Sequence, residues 1–94
     1  MRKTNREFKL SVSFLREGRK YIAYSPALDL STSGKSYNEA KKRFEEIVAV
    51  FFEELVQKGT LEEVLLGLGW RRFQARWNPP IVISQECQTV KVPA

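Results

Sequence analysis

The residues best suited to chemistry lie in one octapeptide, Trp70-Arg71-Arg72-Phe73-Gln74-Ala75-Arg76-Trp77, where aromatic rings are interleaved with guanidinium groups. Such a mixture stacks on bases and contacts phosphates, as RNA-binding surfaces do. Aromatic and arginine side chains are also what protein interface hot spots are made of. A third reading is structural: the tryptophans seal the end of a small core, and the arginines beside them are solvated. Spacing leaves all three open, so Trp70, Arg71, Arg72, Phe73, Arg76 and Trp77 form the candidate interface. Whether the segment is a strand or an arm lying across the surface is equally open.

Catalysis has weaker support. The chain has no histidine, which removes the commonest general base, and its single cysteine, Cys87, excludes an intrachain disulfide and every multi-cysteine metal site. A two-metal nuclease centre needs several carboxylates converging from strands and helix. The strand region offers Glu7, Glu17 and Asp29, the first two at a terminus and a turn, and that is no cluster. No Gly-rich phosphate loop is present. Neither an enzyme nor a cofactor or metal is therefore expected, and Asp29 is expected to cap a bend by hydrogen-bonding its own backbone.

Charge is segregated along the chain. The net charge is +5, with eight basic and three acidic groups in residues 1–35, four and seven in 37–66, and four and one in 67–94. An acidic centre between basic flanks suits an oriented protein contact at least as well as nucleic acid. With 94 residues, 43% apolar and 29% charged, the sequence reads as one soluble domain, residues 1–94, with a single modest core. No apolar run approaches a membrane span, and the basic start leads into alternation instead of a signal-peptide block, so a cytoplasmic protein with no membrane partner is expected.

The elements that must position these residues are organised by residues 36–59. Ser36-Tyr37-Asn38-Glu39 reads as a capping box, the serine hydroxyl accepting from the third helical amide while Glu39 folds back onto the amide of Ser36. A helix over 37–58 then places Tyr37, Ala40, Phe44, Ile47, Val48, Phe51, Phe52, Leu55 and Val56 on one stripe. Gly59 follows as the residue that turns left-handed, after Lys58 in the last turn. Before the helix, alternation over 8–14 predicts a strand facing it, Glu17-Gly18-Arg19 a turn, and 20–25 the return strand of a hairpin. Pro26 closes that strand. Residues 28–33 form a bend and a third strand running into Gly34. Thr60-Leu61-Glu62-Glu63 repeats the capping-box pattern and opens a short helix ending near Gly67 or Gly69. Residues 81–84 and 89–92 are β-prone and predict a late strand. The fold class is α+β, a small antiparallel sheet with one long helix across one face.

The run from Tyr21 to Leu30, then Ser33-Gly34-Lys35-Ser36 and Glu39-Ala40, resembles the HicB family of toxin–antitoxin antitoxins. The shared pattern is a strand ending in Pro26-x-Leu28-Asp29, a Gly34-x-Ser36 turn, and Glu39-Ala40 opening a long helix. It covers about residues 8–58. The resemblance implies a β-β-β-α-β domain like a trimmed ribonuclease H fold, with an extra short helix and a C-terminal strand here. It also implies an antitoxin that binds and neutralises a small RNA-cleaving toxin of the HicA type. Many members carry a C-terminal DNA-binding module, but about fourteen residues follow Pro80, too few for its helices, so operator DNA is not an expected partner. RNA, bound through residues 70–77, is the alternative. A small core that leaves Trp70, Phe73, Trp77 and a β-prone tail without an obvious interior also predicts a homodimer or larger homo-oligomer.

Overall fold

A computed structural model describes residues 8–93. Strands β1 (Ser13–Glu17), β2 (Lys20–Ser25) and β3 (Leu30–Gly34) form an antiparallel sheet in the order β1-β2-β3. Helix α1 (Tyr37–Lys58) packs across β3 and β2, and the short α2 (Leu61–Gly67) packs on α1. A separate two-stranded sheet follows, made of β4 (Arg71–Phe73) and β5 (Arg76–Asn78). The α+β class, the long helix on one sheet face and its two ends agree with the sequence.

Strand register decides which side chains meet α1. Ser13 pairs with Tyr24 and Phe14 with Ala23, while Ala23 pairs with Thr32 and Tyr21 with Gly34. Since side chains alternate along a strand, Tyr21, Ala23 and Ser25 face the helix and Tyr24 faces away. Hydrogen-bonded strand begins at Ser13, later than the expected 8–14. The hairpin turn fixes the pairing, and β2 ends at Ser25 before Pro26, so the residues preceding Ser13 run out of partners. Phe8 instead leaves the sheet and packs at 5.4 Å from Trp70, edge to face.

Ala23, Ala40 and Phe44 form one buried cluster, and Ala27, Leu28, Leu65, Trp70 and Trp77 form a second. Leu30 and Val48 pack against both, so the expected single core is two adjoining lobes. On α1, Ala40, Phe44 and Leu55 are buried and Phe51 and Phe52 half-buried, but Val56 is 65% exposed. It lies about 100° around the helix from Leu55 and so turns out of the stripe. Tyr37, in the first turn, is also exposed and lays its ring 4.7 Å from Phe14.

The helix ends follow from local chemistry. Ser36 accepts from the Glu39 amide at 3.1 Å, while the Glu39 carboxylate accepts from Lys35 N, one residue earlier than the expected Ser36 amide. Replacing Ser36 with alanine is expected to cost about 1 kcal/mol, read as a lower urea midpoint at unchanged slope. At the other end, Gly59 (φ 68) donates to Val56 O and Thr60 to Leu55 O, the paired bonds of a Schellman cap. Thr60 makes no side-chain cap for α2, against expectation, because its ψ of 11° departs from the extended geometry capping requires. Helix α2 closes in the same way: Gly69 (φ 92) donates to Leu66 O and Trp70 to Leu65 O.

The β-prone tail is a correction. Residues 79–93 contain no strand and residues 80–93 are exposed. Pro79 and Pro80 have no N–H with which to begin a ladder, and β propensity without a paired edge does not make a strand. The strands that follow the helices are β4 and β5.

Candidate interaction surface

The second Schellman cap turns the chain so that Trp70 meets Leu65, both almost fully buried. The indole Nε1 donates to the carbonyl of Ala27 at 2.7 Å. Its ring makes edge contacts with Phe8 at 5.4 Å and Phe52 at 6.2 Å. Trp70 is thus a core residue that bolts the segment after α2 onto the bend between β2 and β3.

From there the chain doubles back. Arg71 pairs with Asn78, Arg72 with Trp77 and Phe73 with Arg76. Gln74 and Ala75 form the turn, both left-handed at φ 49 and 61, the conformation that two-residue hairpin loops require at both central positions in their commonest form. Paired residues share a face, so Trp77 and Arg72 lie on one side. Trp77 is 7% exposed in the core, and the Arg72 guanidinium sits 5.8 Å from its ring centroid, within cation–π range. Arg71, Phe73 and Arg76 lie together on the opposite, exposed face. The six candidate residues therefore divide: two tryptophans inside, Arg72 covering one of them, and Arg71, Phe73 and Arg76 facing solvent around a two-residue turn.

The residues of the Pro26-to-Ala40 pattern fall at the two ends of β3, with Pro26, Leu28 and Asp29 in the bend before it and Gly34, Ser36, Glu39 and Ala40 where it joins α1. Leu28 is buried under Trp70's lobe while Pro26 is exposed. Asp29 adopts φ 51 and accepts from the Tyr24 hydroxyl at 3.3 Å; the expected bond to its own backbone is replaced by this one. Partial burial, then the Asp29 charge and this hydrogen bond, hold the Tyr24 phenol above its ordinary value of 10.0. It is a neutral donor at physiological pH. Gly34 lies so close to the first turn of α1 that a Cβ there would come within 2.6 Å of Ala40 N. Glu39 pairs with Arg43 at 3.3 Å, and Arg43 donates to Ser33 O at 3.0 Å, tying α1 to β3.

The helices expose both signs of charge, with Lys41, Lys42, Arg43 and Lys58 of α1 in solvent. Glu45, Glu46, Glu53 and Glu54 on α1 and Glu62 and Glu63 on α2 are exposed. The carboxylates considered for catalysis are kept apart: Glu17 ends β1 beside the hairpin turn, whereas Asp29 lies at the far end of β2. Glu7 falls outside the described residues. Among the described residues no three His, Cys, Asp or Glu side chains are grouped to hold a metal ion, and no helix is long and apolar enough to cross a membrane. Comparison with protein-family models, curated proteins and solved structures finds none that matches this chain.

Proposed function

We propose that this chain is a non-catalytic, antitoxin-like cytoplasmic protein that binds and neutralises a small RNA-cleaving toxin of the HicA type. The observation that carries the reading is the close packing of Gly34, Ser36, Glu39 and Ala40 at the joint between a three-stranded sheet and one long helix. That is the arrangement the resemblance implies for the same residues. The exposed glutamates of α1 and α2 add charge complementarity to a basic, RNA-gripping partner, which steers association and discriminates against other partners. The test is to look in the neighbouring reading frames for a short basic protein of the HicA type and to co-express it with this chain. Restored growth and a co-purified complex are expected, and Glu45→Lys with Glu53→Lys should weaken that complex by roughly a hundredfold if the acidic face docks. Persistent toxicity with no complex would refute the assignment.

The second reading, RNA binding by the hairpin, is favoured by the outward clustering of Arg71, Phe73 and Arg76. It is weakened by the burial of Trp70 and Trp77, which leaves Phe73 as the one stacking platform of the original three. Anisotropy titration with single-stranded RNA separates the two readings. Salt-sensitive binding lost in Arg71→Ala and Phe73→Ala would favour RNA over the toxin.

A further inference from the structure

Phe14 and Tyr37 form an aromatic pair that the core does not use. Their rings meet at 4.7 Å with a tilt of 55°, yet Phe14 is 37% and Tyr37 45% exposed, and neither belongs to the two buried clusters. The topology explains why. Helix α1 packs across β3 and β2, so β1 lies beside it. Phe14 pairs with Ala23 and therefore points to the helix side of the sheet, where it stands on an open flank. Tyr37, in the first turn of α1, meets it there.

The same flank carries cations. Arg16 pairs with Tyr21, so it shares Phe14's side of β1, two residues or about 7 Å further along. Arg19 follows in the hairpin turn, and Lys41 stands one helical turn beyond Tyr37 on its side of α1. All three are exposed, and among the described residues none of them is ion-paired. The neighbouring carboxylates are directed elsewhere. Glu17 pairs with Lys20 on the opposite sheet face. Glu39, about 200° around the helix from Tyr37, is held by Arg43 and by the Lys35 amide. The nearest carboxylate along this flank of α1 is Glu45, a further turn beyond Lys41.

We infer that this flank is a binding site for single-stranded nucleic acid, with a base stacked on the Phe14–Tyr37 pair and the adjoining phosphates held by Arg16, Arg19 and Lys41. An acidic peptide satisfies the cations alone, whereas a strand of nucleotides brings a π-face and a negative charge at every residue. Stacking of this kind tolerates any sequence. The site is built from β1 and α1 and shares no residue with the β4–β5 hairpin. It stands whether or not a toxin is the chain's partner.

Fluorescence anisotropy of the full chain with a labelled single-stranded RNA of mixed sequence, at low salt, tests it. Salt-sensitive binding is expected, weakened about tenfold by Tyr37→Ala and restored by Tyr37→Phe, which keeps the ring. Phe14→Leu, which preserves apolar bulk without a π-face, should weaken it to a similar extent. Arg16→Ala should flatten the dependence of log K on log salt by about 0.7. Circular-dichroism melts should remain cooperative in all four variants, since each side chain changed is exposed. A DNA strand of the same sequence should bind with similar affinity, because neither stacking nor phosphate contact requires a 2′-hydroxyl; the duplex, whose bases are already stacked on one another, should bind about tenfold more weakly. Four results would each overturn the inference: no binding, a duplex bound as tightly as the single strand, binding that Tyr37→Ala and Phe14→Leu leave intact while Arg71→Ala with Phe73→Ala abolishes it, or a Tyr37→Ala defect confined to a protein complex.

Discussion

Replacing Trp70 with alanine is expected to bring the chain to the edge of unfolding. The side chain is 1% exposed, and deleting a buried aromatic of this size costs about 3–5 kcal/mol. A further penalty follows from Ala27, itself 1% exposed, whose carbonyl loses the indole donor; an unsatisfied buried acceptor costs about 1–3 kcal/mol. A domain of this length has roughly 5–14 kcal/mol of total stability, so the loss removes much of it and should lower Tm by an amount on the order of 20 °C. Trp70→Phe divides the effect, keeping an aromatic ring against Phe8 and Phe52 while deleting the N–H. Urea titration of both variants reads the two contributions. A cost below about 1 kcal/mol for the alanine variant, within the ordinary range of point mutations, would show that Trp70 does not hold the second lobe together.

The second large effect has an unusual sign. In a strand, glycine is normally the weaker choice, and changing it to alanine where the backbone allows stabilises by about 0.4–1 kcal/mol. At Gly34 the reverse is expected. A Cβ would meet Ala40 N at 2.6 Å, Glu39 C at 3.0 Å and Ala40 Cα at 3.1 Å. These are backbone atoms of the first helical turn, with no rotamer by which to move aside. Helix and strand must separate, at a cost near the upper end of the 1–3 kcal/mol typical of overpacking. The displacement would also stretch the Arg43 bond to Ser33 O, now 3.0 Å. Equilibrium denaturation of Gly34→Ala decides the matter, since a gain in stability would mean that the joint is looser than these distances require.

Local signals explain what the sequence revealed. The limits of α1 were readable because Ser36 and Gly59 mark its two ends and apolar spacing fills the interval. The hairpin of β1 and β2 was readable because Gly18 interrupts two β-prone runs. The hairpin of β4 and β5 was not, because its turn is built from Gln74 and Ala75, neither of which announces a left-handed conformation as Asn-Gly does. Without that turn, the octapeptide could not be sorted into faces: Arg72 and Trp77 share a side only in the register Arg71 to Asn78. Of the candidate interface, composition therefore identified the ingredients, and only tertiary structure separated the tryptophans that build the core from Arg71, Phe73 and Arg76. The tail misled because β propensity describes a fit to a neighbouring strand, and residues 79–93 pair with none.

The hydrogen bond from Trp70 to Ala27 spans 43 residues of sequence. Most other contacts of the fold are made between near neighbours, in two hairpins, a helix and the turn joining sheet to helix. In kinetic terms, short loops close early and long ones late, because closure entropy must be met before a distant contact can reward it. The first hairpin and α1 are therefore the parts expected to be organised at the transition state for folding, with the indole docking afterwards. A contact made after the barrier leaves the folding rate nearly untouched and governs how quickly the native state opens. Trp70 is then the latch on the lifetime of the folded chain, and the unfolding arm of a chevron for Trp70→Phe is where its loss should be seen.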